Sequence, residues 1–452
     1  MRRRSLPLLL AVVLVAAATA CTESDLTLRD GGDLVRPEPD IPPGDVVTDP
    51  DEVTQLALDD LGAYWTAAMV EVYDTEFRPL AGGYVPYGPR APLPACGPDP
   101  LTYDQIAENA LYCPAEDLIA WDRENLIPGL QERFGSLTVG LVMAHEFAHA
   151  VQARAGVRGA TVTLELQADC FAGAWVDDVD DRIPTFHTDA DSLDSAVAGL
   201  LELRDTLGVP GYDSSAHGSG FDRVSAFQQG YEDGPAACAT YADEPPAVVA
   251  IPFGSPTDAA SGGNLPLDEL YEPLVADLES FYAALLAEEG EDWDPVGGFE
   301  ATDPADGAIT CGDEEISEAE LELAAFYCVA DDTAYMDGDE LIPALAEIGD
   351  FAFGGELARL YAFAAQEQLG IEPDDEVVGA LHADCLTGVF AAAEFLQTVP
   401  EQRLVLSPGD LDEIIVAFLA FGGEAETSAF ERTAAFRAGF VEGADPCRRL
   451  VD

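Results

Sequence analysis

Residues 144–150 read Ala-His-Glu-Phe-Ala-His-Ala, which contains an H-E-x-x-H pattern from His145 to His149. Apolar residues recur at helical spacing through Leu137–Ala155, so the pattern predicts a helix over this range. Side chains four residues apart lie on one face of a helix, where two imidazoles can hold one zinc ion and Glu146 can reach its water. Since the chain has only 5 histidines in 452 residues, we favour a metal site over a buried helix with hydrogen-bonded histidines.

A third metal ligand is expected shortly after this helix. The sequence continues with Glu165-Leu166-Gln167-Ala168-Asp169, an E-x-x-x-D pattern on a second predicted helix. Glu165 would complete a His-His-Glu set, which leaves one coordination position for water. Asp169 follows one turn later and would accept a hydrogen bond from a ligating imidazole. The sequence therefore predicts a zinc site made by His145, His149 and Glu165 and supported by Asp169.

The cysteines indicate an internal repeat. Excluding Cys21, eight cysteines form two sets of four, and the first two of each set are separated by 17 residues. The residues around them also match between the halves, which favours a tandem duplication. We expect a catalytic copy at 52–240, a linker at 241–264 and a second copy at 265–452. The matching segments are Cys96-Gly97 with Cys311-Gly312, Tyr112-Cys113 with Tyr327-Cys328, Ala168-Asp169-Cys170 with Ala383-Asp384-Cys385, and Phe221 to Cys238 with Phe430 to Cys447.

Four cysteines in each copy of an exported protein predict two disulfides in each copy. Three connectivities are possible for each set of four. A four-cysteine zinc site is the alternative, but the C-x₂-C spacing that is typical of one is missing. We favour Cys96–Cys113 with Cys170–Cys238 and, in the second copy, Cys311–Cys328 with Cys385–Cys447.

The second copy lacks the metal site. Alignment on the shared glycines and on the shared Ala-Asp-Cys gives the residue that replaces each predicted site residue. Both histidines, the base and the third ligand are lost together, while the cysteines are kept, so we expect this copy to be catalytically dead. The replacements are Arg359 for His145, Leu360 for Glu146, Phe363 for His149 and Ala380 for Glu165.

His217 is a further candidate for catalysis. It aligns with Glu426 of the second copy, so it was lost with the site, and a histidine can stabilise the oxyanion in such chemistry. The alternative is a loop histidine that supports a turn.

Two other polar residues are retained in both copies. Asp169 corresponds to Asp384 and Arg223 to Arg432. Their retention where no zinc can bind favours a structural role for Arg223 and leaves both a structural and a supporting role open for Asp169.

The fold class expected from these patterns is α+β and predominantly helical, in tandem duplication. With its H-E-x-x-H helix, the first copy resembles a zincin-like metallopeptidase domain. One short apolar run, Leu118–Trp121, is interpreted as an edge strand that could line a substrate. The second copy has Met336 opposite Trp121, and retention of a large apolar group there favours packing instead.

As a set, these motifs resemble one known family, the bacterial putative neutral zinc metallopeptidases, over about 90–240. The resemblance implies a gluzincin-like zinc site and a membrane-anchored protein. Members of the family are commonly anchored by a transmembrane segment, whereas this chain has a lipobox-like sequence and a second copy. The segments that carry the resemblance are Cys96-Gly97, Tyr112-Cys113-Pro114, His145 to Gln152, Leu164 to Gly173, His217-Gly218 and Arg223.

Composition and the N-terminus limit where such a protein can act. The chain has 86 acidic residues against 20 basic ones and a formal net charge of −66, which excludes nucleic acid as a partner. Arg2–Arg4, a short apolar run and small residues before Cys21 predict a signal peptide at 1–20. We expect Cys21 to be lipidated, 21–51 to be a flexible acidic tether, and the protein to be held at the outer face of a bacterial cell membrane.

The function expected from the sequence is hydrolysis of peptide bonds by a zinc-activated water with Glu146 as general base, with a peptide or protein as substrate. The alternative is a non-catalytic peptide-binding or scaffolding lipoprotein with a vestigial or structural zinc site. Glu146 argues against the alternative, because a structural site needs no base and is usually closed by four ligands.

Overall fold

Helices dominate the first half of the chain, and three short strands are inserted near its beginning. The computed structural model describes residues 46–451 except 181, 206, 209–216, 374 and 422–426, so the predicted signal peptide and Cys21 lie outside the described residues. The elements, numbered in chain order, are α1 Pro50–Tyr73, β1 Gly83–Tyr87, α2 Tyr103–Ile106, β2 Ala110–Cys113, β3 Leu118–Asp122, α3 Leu126–Ala155, α4 Thr161–Val179, α5 Ala190–Glu202 and α6 Gly220–Ala239.

The second half repeats this order of elements with small additions. A three-stranded sheet again precedes a set of long helices. The elements are α7 Pro256–Ser261, α8 Leu267–Glu289, β4 Gly298–Thr302, β5 Ile309–Cys311, β6 Glu314–Ile316, α9 Glu318–Leu321, β7 Ala325–Cys328, β8 Thr333–Asp337, α10 Leu341–Ile348, α11 Asp350–Leu369, α12 Glu376–Phe395, α13 Asp410–Phe421, α14 Ala429–Glu442 and α15 Ala444–Val451. The hairpin β5-β6 and the short helix α7 are additional. The segments that form α3 and α6 in the first half, with breaks at Gly135 and Gly234, are separate helices here.

The two three-stranded sheets have the same topology. Their strand orders are β1-β3-β2 and β4-β8-β7, and in each the central strand is parallel to the first and antiparallel to the other. The interpretation of Leu118–Trp121 as an edge strand is therefore wrong: β3 is central, and all five of its residues are buried. A strand covered on both faces is apolar on both faces, and β2 provides an edge instead.

The helix that carries the H-E-x-x-H pattern is longer than the sequence predicted. It begins at Leu126, and its only non-helical residue is Gly135, at φ 82° and ψ 179°. This break puts Ser136 at the start of the second segment, which ends at Gly156 in the left-handed conformation, φ 73°. Most residues of this second segment are buried, including His145 and Glu146.

Close helix crossings hold each half together. A Cβ atom on Gly173 of α4 would lie 2.0 Å from the carbonyl oxygen of Phe227 on α6, so only glycine fits there. A Cβ atom on Gly388 of α12 would likewise lie 2.0 Å from the carbonyl oxygen of Phe436 on α14. The two halves therefore share the same backbone-to-backbone crossing.

The structure contains the four disulfides that the sequence favoured. In each half, one bridge joins two cysteines 17 residues apart beside the three-stranded sheet. The other bridge joins α4 to α6 in the first half and α12 to α15 in the second. The bridges are Cys96–Cys113, Cys170–Cys238, Cys311–Cys328 and Cys385–Cys447.

The halves pack against each other through an aromatic cluster on α6 and α14. Phe221 contacts Phe436 and Phe440, with ring centres 6.1 and 4.9 Å away. Phe430, the counterpart of Phe221, contacts Phe227 and Tyr231 at 6.0 and 5.2 Å. The contacts are reciprocal, as in an interface with two-fold symmetry.

One helix among the described residues, α12, is long and apolar enough by length and composition to cross a membrane. In the most apolar 18-residue stretch of this helix, 61% of the residues are buried inside the protein. A core helix passes the same test, and α12 packs against α11 and α14 in the interior of the second half.

Candidate metal centre

The three predicted ligands meet between α3 and α4. Nε2 of His145 lies 3.2 Å from Oε2 of Glu165, and Nε2 of His149 lies 3.4 Å from the same oxygen. The three possible ligand atoms are all within 4.8 Å of one another. Two imidazoles and one carboxylate are the donor set of many catalytic zinc sites, so these residues fit zinc.

The other nitrogen of each imidazole is held by a second side chain. Nδ1 of His145 lies 2.7 Å from Oδ1 of Asp169, and Nδ1 of His149 lies 2.9 Å from Oε1 of Gln152. The Gln152 amide also donates to the carbonyl oxygen of Leu164 at 2.6 Å. A hydrogen bond at Nδ1 fixes the ring orientation and leaves Nε2 as the ligand atom. Asp169 therefore occupies the supporting position predicted for it.

Arg223 of α6 supports Asp169 in turn. Its guanidinium donates to both carboxylate oxygens of Asp169 at 2.8 Å, and both side chains are buried. Burial opposes the ionised form of Asp169, but Arg223 and His145 overcome it and lower the pKa of this carboxyl. Arg223 thus acts through Asp169 on His145, and its structural role extends to the metal centre.

The carboxylates also determine the protonation of the metal-free imidazoles. Burial favours neutral His145, yet Asp169 and Glu165 outweigh it and raise the pKa of His145 to about 10. The pKa of Glu165 is lowered by both histidines despite its burial. A cation bound between these groups would replace the imidazole protons and satisfy the same negative charge.

Glu146 faces the same open cleft as the predicted ligands. The cleft has a volume of about 730 Å³, which is the size of a typical small-molecule or peptide pocket. Its wall on one side is the edge strand β2, through Ala110, Leu111 and Tyr112. A carboxylate beside a metal-ligand set in an open cleft has the position that a general base requires.

His217 also lines this cleft, although half of its side chain is exposed. Asp205 holds it in place: the carboxylate accepts hydrogen bonds from the backbone N–H groups of His217 and Gly218 at 2.7 and 3.0 Å. Nδ1 of the imidazole lies 3.1 Å from the same carboxylate. The structure therefore brings His217 to the cleft wall with one ring nitrogen already bonded.

The corresponding place in the second half is filled by an arginine. Nε of Arg359, at the position of His145, lies 3.1 Å from Oδ1 of Asp384. Its guanidinium carbon lies 4.9 Å from the ring centre of Phe363, at the position of His149. Arg432 pairs with Asp384 as Arg223 pairs with Asp169. A guanidinium thus supplies the positive charge that the buried aspartate requires.

Sequence reasoning missed three parts of this centre. Gln152 was not among the predicted site residues, yet its amide oxygen lies 2.9 Å from Nδ1 of His149. Asp205 lies in a loop with no motif around it, and β2 was not distinguished from β3. The tertiary structure alone brings Asp205 to His217 and β2 to the cleft, whereas the i, i+3 spacing on one helix could have suggested Gln152.

The chain was also compared with known proteins. Residues 95–241 match the model of the putative neutral zinc metallopeptidase family. The matched segment contains both histidines, Glu146, Glu165 and the first pair of disulfides. The family match therefore falls on the half that holds the metal centre, and it supports a zinc hydrolase.

The curated relatives are uncharacterized proteins. The chain is 29% identical over 153 residues to the uncharacterized protein YpfJ of Escherichia coli K12, which covers 29% of this chain and 53% of the relative. It is 30% identical over 159 residues to the uncharacterized protein Rv2575 of Mycobacterium tuberculosis, covering 29% and 54%. The chain thus spans about half the length of these relatives. No solved structure matches it.

Proposed function

We propose that this protein is a zinc-dependent peptidase whose first half performs the hydrolysis. The observation that carries the proposal is the convergence of two imidazole nitrogens and the Glu165 carboxylate beside Glu146 in one open cleft. His145, His149 and Glu165 would hold the ion. Zinc in such a site acts as a Lewis acid on a carbonyl group and lowers the pKa of water.

The side chains around the site have separate roles in this proposal. Glu146 accepts the proton of the attacking water and passes it to the departing amine, as a general base and then a general acid. His217, oriented by Asp205, donates a hydrogen bond to the carbonyl oxygen as negative charge develops on it. Asp169 and Arg223 keep the His145 ring oriented.

The edge strand β2 supports a peptide as substrate. Among the described strands, β2 pairs only with β3, and Ala110, Leu111 and Tyr112 line the cleft. An extended peptide can add to a free strand edge through main-chain hydrogen bonds, independently of its side chains. Such binding would lay a scissile bond along the cleft that contains Glu146.

We further propose that the two halves arose by tandem duplication, with 52–240 catalytic, 241–264 as the linker and 265–452 as a copy without catalysis. Support comes from the matching sheet orders, the shared glycine crossings and the reciprocal aromatic contacts. The Arg359 ion pair supports loss of metal binding in the second copy.

The place of action is proposed from the N-terminal sequence alone. A signal peptide at 1–20 and a lipid on Cys21 would hold the enzyme at the outer face of the bacterial cell membrane. Four disulfides are consistent with an oxidising compartment.

Zinc content and peptidase activity on an unfolded protein, measured on the same mature samples, test the function. We expect bound zinc and chelator-sensitive cleavage in the wild type, zinc without cleavage in Glu146→Gln, and neither in His149→Ala. The loss in Glu146→Gln should be about 10²–10⁴-fold, the usual contribution of a general base. Phe363→Ala, the matched change in the second half, should keep both zinc and cleavage.

Two results would contradict the proposal in different ways. Zinc without cleavage in the wild type would favour the alternative, a binding or scaffolding lipoprotein with a structural or vestigial site. Absence of zinc from the wild type would remove the metal centre itself.

A further inference from the structure

A second group of acidic side chains lies far along the chain from the zinc ligands, in the half without catalysis. Asp350 is the first residue of α11, and Asp410 and Glu413 lie in the first turn of α13. Each offers one carboxylate oxygen, and these oxygens lie within 4.8 Å of one another. All three side chains are buried, with 7%, 4% and 7% of their surface exposed.

Backbone groups anchor each carboxylate by one oxygen. Oδ2 of Asp350 accepts from the N–H of Leu265 at 2.8 Å, and Oδ2 of Asp410 accepts from the N–H of Ser407 at 2.8 Å. Oε2 of Glu413 accepts from the N–H of Phe351 at 2.9 Å. The three carboxylates are therefore fixed in place before any ligand arrives, which lowers the cost of binding.

The remaining oxygens of the two aspartates have no partner among the residues that the structure describes. Oδ1 of Asp350 and Oδ1 of Asp410 are buried and make no hydrogen bond with any described residue. No arginine or histidine in the described part of the chain forms an ion pair with this cluster; on α13, Arg204 pairs with Asp412 instead. Buried polar atoms without partners are costly and rare, so these oxygens indicate a missing ligand.

The pKa values of these carboxyls also indicate a missing cation. Burial and then the neighbouring carboxylates raise the pKa of Glu413 to about 8 and that of Asp410 well above its ordinary range. Three buried carboxylates without a counter-charge must either hold protons or neutralise a cation.

The first half provides an internal comparison. Asp412 and Asp194 have the same role: each accepts hydrogen bonds from the first N–H groups of the helix in the other half. This equivalence aligns α13 with α5, so Asp410 corresponds to Ser192 and Glu413 to Ser195. Asp350 follows Gly349 as Ser136 follows Gly135. At the three positions where the second half has these neighbouring carboxylates, the first half therefore has serine.

The backbone has adapted to this cluster as well. A Cβ atom on Gly349 would lie 1.9 Å from the carboxyl carbon of Glu413, whereas nothing lies within 4 Å of the same position at Gly135. The Glu413 carboxylate therefore rests directly against the backbone at the start of α11. A side chain at 349 would therefore displace the Glu413 carboxylate from its present position.

We propose that Asp350, Asp410 and Glu413 form a Ca²⁺ site in the second half. Calcium takes six to eight oxygen ligands at about 2.3–2.6 Å, so the oxygens of one shell lie within about 5 Å of one another. The three carboxylate oxygens here lie within 4.8 Å of one another, which fits such a shell. Hard carboxylate oxygens favour calcium over zinc. The ion would join the first turns of α11 and α13, and waters would complete its shell.

Calcium binding to the mature, full-length protein tests the site. The protein would be stripped of metals, reloaded with zinc, and titrated with CaCl₂ by calorimetry, while the melting temperature is followed in parallel. We expect one Ca²⁺ to bind at this site with a Kd near about 10⁻⁴ M, as in extracellular calcium modules. The melting temperature should rise with Ca²⁺ and much less with Mg²⁺.

The decisive variant is Asp350→Ser with Asp410→Ser and Glu413→Ser. Since the first half carries serine at all three positions, this variant is compatible with the fold, and it should lose both the calorimetric signal and the thermal shift. Its control is Asp313→Ser with Glu314→Ser and Glu315→Ser, which changes the net charge equally at exposed positions and should keep both.

The outcomes separate this site from the zinc centre. The calcium response should persist in His149→Ala, because that change affects only the zinc ligands. An equal calcium response in the triple-serine variant and the wild type would overturn the proposal. A wild type that binds no calcium would also overturn it. If the triple-serine variant were then the more stable protein, the cluster would be a set of protonated carboxyls.

Discussion

Asp412 of the second half accepts a hydrogen bond at 2.7 Å from the backbone N–H of Phe221, near the start of α6 in the first half. The contact is reciprocated, because Asp194 of the first half accepts from the N–H of Phe430 at the same 2.7 Å. Each half therefore caps one helix of the other half. The capped helices are α6, which carries Arg223, and α14, which carries Arg432. A surface that meets its own counterpart in this way has the form of a two-fold interface within one chain.

Removal of these caps should affect stability and activity differently. Asp412→Ala and Asp194→Ala should each lower the free energy of unfolding by about 1–2 kcal/mol, the usual loss for a helix cap. Only Asp412→Ala should also lower peptidase activity, since α6 carries Arg223 and follows His217. Urea denaturation and kcat/KM measured on both variants check this. Equal activity losses in the two variants would contradict a specific role of the second half.

The buried aspartates of the two halves allow a matched test of metal support. Asp169→Asn should weaken zinc binding by about 10–100-fold, because His145 loses the partner that orients it. Asp384→Asn removes the carboxylate that pairs with Arg432, as Asp169 pairs with Arg223. It should destabilise the protein without changing zinc affinity. Zinc affinities from competition with a chelator, together with melting temperatures, check both. A similar loss of zinc affinity in both variants would indicate a general effect of destabilisation.

His217 should act on the reaction and not on the metal. His217→Ala should leave the zinc content unchanged and lower kcat by about 10²-fold, as expected for one hydrogen-bond donor to a developing oxyanion. Asp205→Asn should lower kcat less, because Asp205 only orients the imidazole of His217. Steady-state kinetics with zinc analysis check this. A rise in KM at constant kcat would mean that His217 binds substrate instead.

Buried His382 should make stability depend on pH. Burial lowers its pKa to about 4, while the unfolded value is about 6.5. Between these values the unfolded chain binds more protons, so the stability contributed by neutral His382 is fully present above pH 6.5 and is lost as pH falls toward 4. His382→Gln, which introduces the counterpart of Gln167, should reduce the slope by up to about 1.4 kcal/mol per pH unit. Identical slopes for variant and wild type over this window would show that His382 is protonated in the fold.

Local patterns were sufficient for much of the metal centre. The i, i+4 spacing of His145 and His149 already places both rings on one helix face, and the later E-x-x-x-D pattern supplied Glu165 and Asp169. Of the three connectivities possible in each set of four cysteines, the favoured one is the one found in the structure. The predicted leader at 1–20, Cys21 and Glu426 lie outside the described residues.

Other features have no local signal. Leu118–Trp121 was interpreted as an edge strand because a short apolar run does not reveal how many neighbours a strand has. Asp205 bonds to His217 from twelve positions earlier in the chain, with no motif around it. Gln152 is different, because it lies three residues after His149 on the same helix and its spacing could have indicated the contact. The cluster brings Asp350 together with Asp410 and Glu413, which lie about sixty positions later in the chain. Because the chain has 86 acidic residues, nothing in the sequence singles out these three.

The sequence by itself determined which residue types were available at helical spacing, which cysteines matched and which half carries the H-E-x-x-H pattern, because these depend on order along the chain. The tertiary structure alone decided which carboxylates are buried, which are paired with arginine and which face one another without a counter-charge. Those properties depend on distance and on exclusion of water, and neither can be read from spacing when the partners lie on different helices.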